Sequence, residues 1–92
     1  MAKHLRISGI VQGVGYRASF DAHARSLKLA GWVRNRNDGS VEAMIRGDEQ
    51  ALQDMIDWAR RGPPSALVRN VAVVDVNDNL VKNDAFMRLP TE

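Results

Sequence analysis

The segment Gly9-Ile10-Val11-Gln12-Gly13-Val14-Gly15-Tyr16-Arg17 carries the residue types that could do chemistry. A glycine-bearing loop between a strand and a helix start can turn several backbone N–H groups inward as a nest for an anion. The helix N-terminus adds unsatisfied donors and the positive end of its dipole. Arg17, at the loop–helix junction, supplies a planar guanidinium fork that matches phosphate oxygens. Gly13 and Gly15 let the backbone approach a ligand closely, because a Cβ would intrude. Gln12 could hold the loop through its amide or simply lie at the surface. The whole segment also reads as a tight turn with a solvated arginine, and spacing alone does not separate that reading from an anion site.

Other chemistries find less support. Gly13-Val14-Gly15-Tyr16-Arg17-Ala18 matches G-x-G-x-x-A, a dinucleotide-binding pattern. That pattern belongs to a parallel βαβ unit in a larger sheet, whereas here a hairpin follows the first helix. No G-x-x-x-x-G-K-[ST] phosphate loop is present. His4 falls in a strand and His23 in a helix, and neither joins a His/Asp/Glu group with metal-ligand spacing. Asp48 and Glu49 begin a helix, where capping explains them. Trp32 and Trp58 read as packing residues.

The elements that must position the loop follow from periodicity. Leu5, Ile7, Gly9 and Val11 alternate with His4, Arg6 and Ser8, which predicts a half-buried strand. A helix is expected from about Ala18 to Leu29, with Phe20, Ala24 and Leu27 on its apolar stripe. Trp32-Val33-Arg34-Asn35 and Ser40 to Arg46 predict an antiparallel hairpin around the turn residues Asn37-Asp38-Gly39. Asp48 is the expected N-cap of a second helix burying Leu52, Met55, Ile56 and Ala59 and stopped by Gly62-Pro63-Pro64. Val68 to Val76 reads as a strand with valines on both faces, so its core side is unassigned. Asn77-Asp78-Asn79 is a turn, and Ala85 to Leu89 supplies a short edge strand. The order β-α-β-β-α-β predicts an α+β fold, a ferredoxin-like split βαβ sandwich with two helices on one face of an antiparallel sheet.

Ninety-two residues make one domain, expected over residues 3–90. An apolar content of 45 % is ordinary for a globular chain. Thirteen basic and eleven acidic residues leave a net charge of +2, too little for a nucleic-acid footprint. The absence of cysteine excludes disulfides and thiolate chemistry and fits a reducing compartment. No apolar run is long enough for a signal peptide or a membrane span, so a cytoplasmic location without membrane association is expected.

Ile7-Ser8-Gly9-Ile10-Val11-Gln12-Gly13-Val14-Gly15-Tyr16-Arg17 closely resembles the first signature of the acylphosphatase family. Gly31-Trp32-Val33-Arg34-Asn35, followed by Gly39, Val41 and Gly47, resembles the second. The two signatures stand in the right order and, with the β-α-β-β-α-β reading, cover nearly the whole chain. Tyr16 departs from the pattern, which usually has Phe there, so its hydroxyl needs a hydrogen-bond partner or water.

The resemblance implies hydrolysis of a small-molecule acyl phosphate with inorganic phosphate as product. It implies that Arg17 and Asn35 are catalytic, Arg17 binding the phosphate and Asn35 orienting the attacking water. Gln12, Gly13, Val14, Gly15, Tyr16 and Arg17 become the expected substrate-binding loop. No metal, no other cofactor and no covalent intermediate are implied, and a monomer is expected. So sparse a site suits the chemistry, because phosphoryl transfer relies mainly on positioning and charge stabilisation. A non-catalytic anion-binding module on the same scaffold is the competing reading. Retention of Asn35 beside Arg17 favours the enzyme. RNA binding, known for this topology, fails because the strand Ser40 to Arg46 has no aromatic residue to stack a base.

Overall fold

A computed structural model describes all residues, Met1–Glu92. In β1 (Ala2–Ile10) Leu5 and Ile7 are fully buried while His4 and Arg6 reach the opposite face, the period-two pattern of a strand packed on one side. β1 lies inside the sheet, antiparallel to β3 (Val41–Arg46) on one side and to β4 (Leu67–Val76) on the other. β2 (Ala30–Asn35) forms the expected antiparallel hairpin with β3. The strand order is β4-β1-β3-β2-β5, and β5 (Phe86–Arg88) pairs in parallel with β2. The antiparallel sheet therefore gains one parallel edge strand. β4 ends where β2 begins, because Ala2 pairs with both Val76 and Arg46 and Arg46 pairs with Ala30. The chain crosses that end of the sheet through a 3-10 turn at Asp78–Leu80, so its return must run with β2. Val81, on this crossing, packs with Ala2, Ala30 and Met44.

Two helices cover the other face. α1 (Tyr16–Ser26) begins two residues earlier than the apolar stripe indicated and stops short of Leu29. Lys28 takes a left-handed conformation (φ 58°), and the N–H groups of Lys28 and Leu29 close back on the carbonyls of Arg25 and Ala24. α2 (Glu49–Arg61) starts as expected, with the Asp48 carboxylate accepting from the Ala51 N–H at 2.8 Å. Leu52, Met55, Ile56 and Ala59 are all buried and join Leu5, Ile7, Phe20, Val33, Val41 and Ile45 in one core. The valines of β4 do occupy both faces, since Val74 and Val76 lie across from His4 and Ala2 on the open face, and a bulge also breaks the alternation on the core side. Ser8 pairs with Asn70 but Gly9 with Val68, so Arg69 is the extra residue and side-chain parity flips there. Val68 before the bulge and Val71 and Val73 after it all pack on the core. Gly9 makes this close approach possible, since a Cβ would collide with the Leu67 carbonyl.

Tyr16, the first residue of α1, is buried against Phe20 and Trp58, with ring centroids 6.1 and 5.4 Å away. Its hydroxyl donates to the Ala59 carbonyl at 2.8 Å, which answers the need raised by the Tyr-for-Phe departure. Burial pushes the phenol well above its ordinary pKa and keeps it a donor. Ala59 lies in the last turn of α2, where carbonyls lack helical donors, and position 63 is a proline with no N–H to give. Tyr16→Phe should therefore strand a buried carbonyl and cost about 1–3 kcal/mol of stability, measured by urea denaturation. An unchanged unfolding midpoint would show that the hydroxyl does not carry this bond.

Candidate active site

The loop after β1 leads straight into α1 with its backbone donors unbonded. Gly13 and Gly15 have φ of 75° and 78°, left-handed positions of the kind from which a backbone nest for an anion can be built. A Cβ at either glycine would meet nothing within 4 Å, so backbone conformation, rather than crowding by the protein itself, is what selects glycine here. Gly15 caps α1 with no side-chain hydrogen bond, and the first helical bond runs from the Ser19 N–H to the Gly15 carbonyl at 3.0 Å. The N–H groups of Tyr16, Arg17 and Ala18 thus have no helical acceptor, and those of Gln12 to Gly15 donate to no backbone carbonyl. Val14 packs partly against the core.

The expected loop residues divide into two kinds. Gln12 donates both amide hydrogens across to the hairpin, to the carbonyls of Arg36 and Ser40, each at 2.7 Å. Only its acceptor oxygen is left, so Gln12 holds the loop and has no hydrogen to offer an anion. Tyr16 turns its side chain into the core and can contribute only its backbone N–H. Gly13, Val14 and Gly15 present backbone.

Arg17 is half-buried at the start of α1, and its Nη1 donates to the Leu89 carbonyl at 3.2 Å, leaving the rest of the fork uncommitted. Leu89 in turn donates its N–H to the Val33 carbonyl at 2.9 Å. One residue beyond β5 therefore bonds both to Arg17 and to the strand that carries Asn35. The Asn35 carbonyl accepts from Glu92 at 3.1 Å, but its side-chain Oδ1 is buried and has no partner in the chain. Gln12 so ties the loop to the hairpin, and Leu89 ties Arg17 to the strand that carries Asn35. Neither tie has a local sequence signal. Gln12 stands inside the first signature, but its partners lie 24 and 28 residues away.

On the open face of the sheet, behind Asn35, the Glu42 carboxylate gathers two arginines and a histidine. Arg34 Nε lies 2.9 Å from it, Arg36 Nη1 3.3 Å and His4 Nε2 2.6 Å. Burial pushes the Glu42 pKa up, but hydrogen bonds from His4 and Arg34 and the Arg34 charge outweigh it and hold the carboxyl below its ordinary range. The hairpin turn is fixed by Asp38, which accepts from the Ser40 N–H and hydroxyl at 2.9 and 2.6 Å and pairs with Arg6. Those bonds hold its carboxyl far below the usual range. His23 stacks on Trp58 at 5.4 Å in a groove between the helices, which Leu27, Asp54 and Arg60 also line, and neither Arg17 nor Asn35 lines it.

The sequence model of the acylphosphatase family matches residues 3–87. The chain is 53 % identical over 75 residues to an acylphosphatase of Acidovorax sp. (strain JS42), covering 82 % of this chain and 77 % of the relative. It is 48 % identical over 91 residues to an acylphosphatase of Azoarcus sp. (strain BH72), covering 98 % and 90 %. The crystal structure of acylphosphatase from Bacillus subtilis superposes with a TM-score of 0.89 at 36 % identity, over 97 % of this chain and 99 % of that one. With a matching sequence model, close relatives along most of their length and the same fold, this chain belongs to the acylphosphatase family.

Proposed function

We propose that the chain hydrolyses acyl phosphates to a carboxylate and inorganic phosphate, without a metal or a covalent intermediate, Arg17 binding the phosphate and Asn35 orienting the attacking water. The observation that carries this reading is the Asn35 Oδ1, a buried acceptor with no partner, beside a loop of uncommitted N–H donors. An acceptor left unsatisfied inside a protein is costly and is kept where something else supplies the hydrogen. A water held there donates one hydrogen to Oδ1, which aims the oxygen lone pair at the phosphorus. The amide is far too weak a base to take the proton, so a phosphate oxygen of the substrate is its natural acceptor.

Loop N–H groups and the Arg17 fork spread the charge of the phosphoryl oxygens through transfer. The carboxylate leaving group departs as a stable anion and needs no general acid. Donor placement thus supplies the catalysis, and activity should survive exhaustive chelation with EDTA. Loss on chelation with recovery on adding a divalent ion would overturn the metal-free mechanism. A cysteine-free chain suits the reducing cytoplasm, where we place the enzyme, and one chain supplies every group of the site, as a monomer would.

The decisive assay compares an aromatic acyl phosphate with a phosphate monoester, and only the first should be hydrolysed. Arg17→Ala should weaken inhibition by inorganic phosphate about tenfold to a hundredfold as well as slowing turnover, because charged hydrogen bonds to the anion are lost. Arg17→Lys should rescue poorly, since it keeps the charge but not the fork. Unchanged phosphate inhibition in Arg17→Ala would remove Arg17 from the phosphate site. Asn35→Ala should lower kcat by about a hundredfold, roughly 3 kcal/mol of barrier, and leave phosphate inhibition nearly intact. A folded Asn35→Ala protein with wild-type kcat would instead favour an anion-binding module.

A further inference from the structure

Asn35 is flanked by two arginines whose side chains turn to the sheet face opposite its own. Arg34 and Arg36 both donate to Oε1 of Glu42, at 2.9 and 3.3 Å, and His4 lies 2.6 Å from Oε2. Glu42 sits directly across from Arg34 in the β2–β3 register, and its side chain is only 13 % exposed. Arg34 is further restrained by the Trp32 ring, 4.8 Å below its guanidinium. Arg6, also opposite Glu42, is spent on Asp38 and Ser40.

We propose that Glu42 is a positioning residue: by gripping the residues before and after Asn35 from the far face, it fixes the backbone from which the Asn35 amide is aimed. The inference rests on the role given to Asn35 above. β2 ends at Asn35, where backbone bonds from Arg36 to Ser40 and from Glu92 to Asn35 hold the main chain in the sheet, and Glu42 adds a side-chain grip from the far face. The free Oδ1 lends no bond of its own to the side chain, so its direction follows from backbone and packing. Glu92 also pairs with Arg34, at 2.6 Å, but its side chain is 72 % exposed and solvent screens the pair. Glu42 is the anchor shared by both arginines. A small error in the aim of a water-placing group is expensive, because near-attack geometry is lost with displacements of an ångström.

The test is a double-mutant cycle read in kcat and in the inhibition constant of inorganic phosphate. Glu42→Ala should lower kcat about tenfold with phosphate inhibition within about twofold of wild type, since the loop and Arg17 are untouched. Glu42→Gln keeps an acceptor for the arginines and should lose only about threefold, which also carries the test if the alanine variant does not fold. In an Asn35→Ala background neither change should lower kcat further. A folded Glu42→Gln or Glu42→Ala enzyme with wild-type kcat overturns the inference, as does a loss of the same size in the Asn35→Ala background. If Asn35→Ala is slow while the Glu42 variants are not, this inference alone falls. If Asn35→Ala turns over normally, the role of Asn35 falls with it.

Discussion

Two hydrogen bonds from one amide decide where the glycine loop stands. Gln12 sends both its hydrogens to the carbonyls of Arg36 and Ser40, on the hairpin whose first strand ends at Asn35. The loop cannot be held by its own backbone, because a nest works only if its N–H groups stay unbonded. It therefore has to be held by a side chain, and the acceptors come from the element that carries the other half of the site. Gln12 thereby ties the loop to the hairpin that carries Asn35.

The two helices show what this demand costs. α2 is capped by Asp48 and has a carboxylate in its first turn, the usual device for satisfying a helix start. α1 has neither, only Gly15 in a left-handed conformation. A capping side chain on α1 would occupy the donors that an anion needs. Stability is recovered elsewhere, by the buried Tyr16–Phe20–Trp58 cluster and by the hydroxyl of Tyr16 on the far end of α2.

Most of the fold was legible in the sequence because most of it obeys local periodicity. Leu5 and Ile7 in β1, the stripe of α2 and the Asp48 cap each follow from residues a few positions apart. The valines of β4 gave no face because Val74 and Val76 lie on the face opposite Val71 and Val73, and because the bulge at Arg69, set by pairing with β1, brings Val68 to the core side as well. The parallel sense of β5 is set by which end of the sheet β4 finishes on, a property of the whole topology. The glycine loop and Arg17 were readable as an anion site, while the role of Asn35 entered only by family resemblance. The bonds of Arg17 to the Leu89 carbonyl and of His4 to Glu42 join residues distant in the chain, and no spacing rule reaches them, nor does one show that the Asn35 Oδ1 is left unpaired.

β1 is an interior strand of the sheet, between β4 and β3, although it is the first strand of the chain. Its neighbours arrive late: Ala2 pairs with Arg46 and again with Val76. Only the β2–β3 hairpin joins strands adjacent in sequence. Before β1 gains either ladder, the chain must give up the entropy of closing very long loops. Non-local pairing of this kind slows the search for the native state, so folding is expected to be slow for a domain of this size, with its rate-limiting step in the docking of the two halves around the first strand. The same strand leads directly into the glycine loop, so the proposed site of a few residues forms only once nearly the whole chain has found its place.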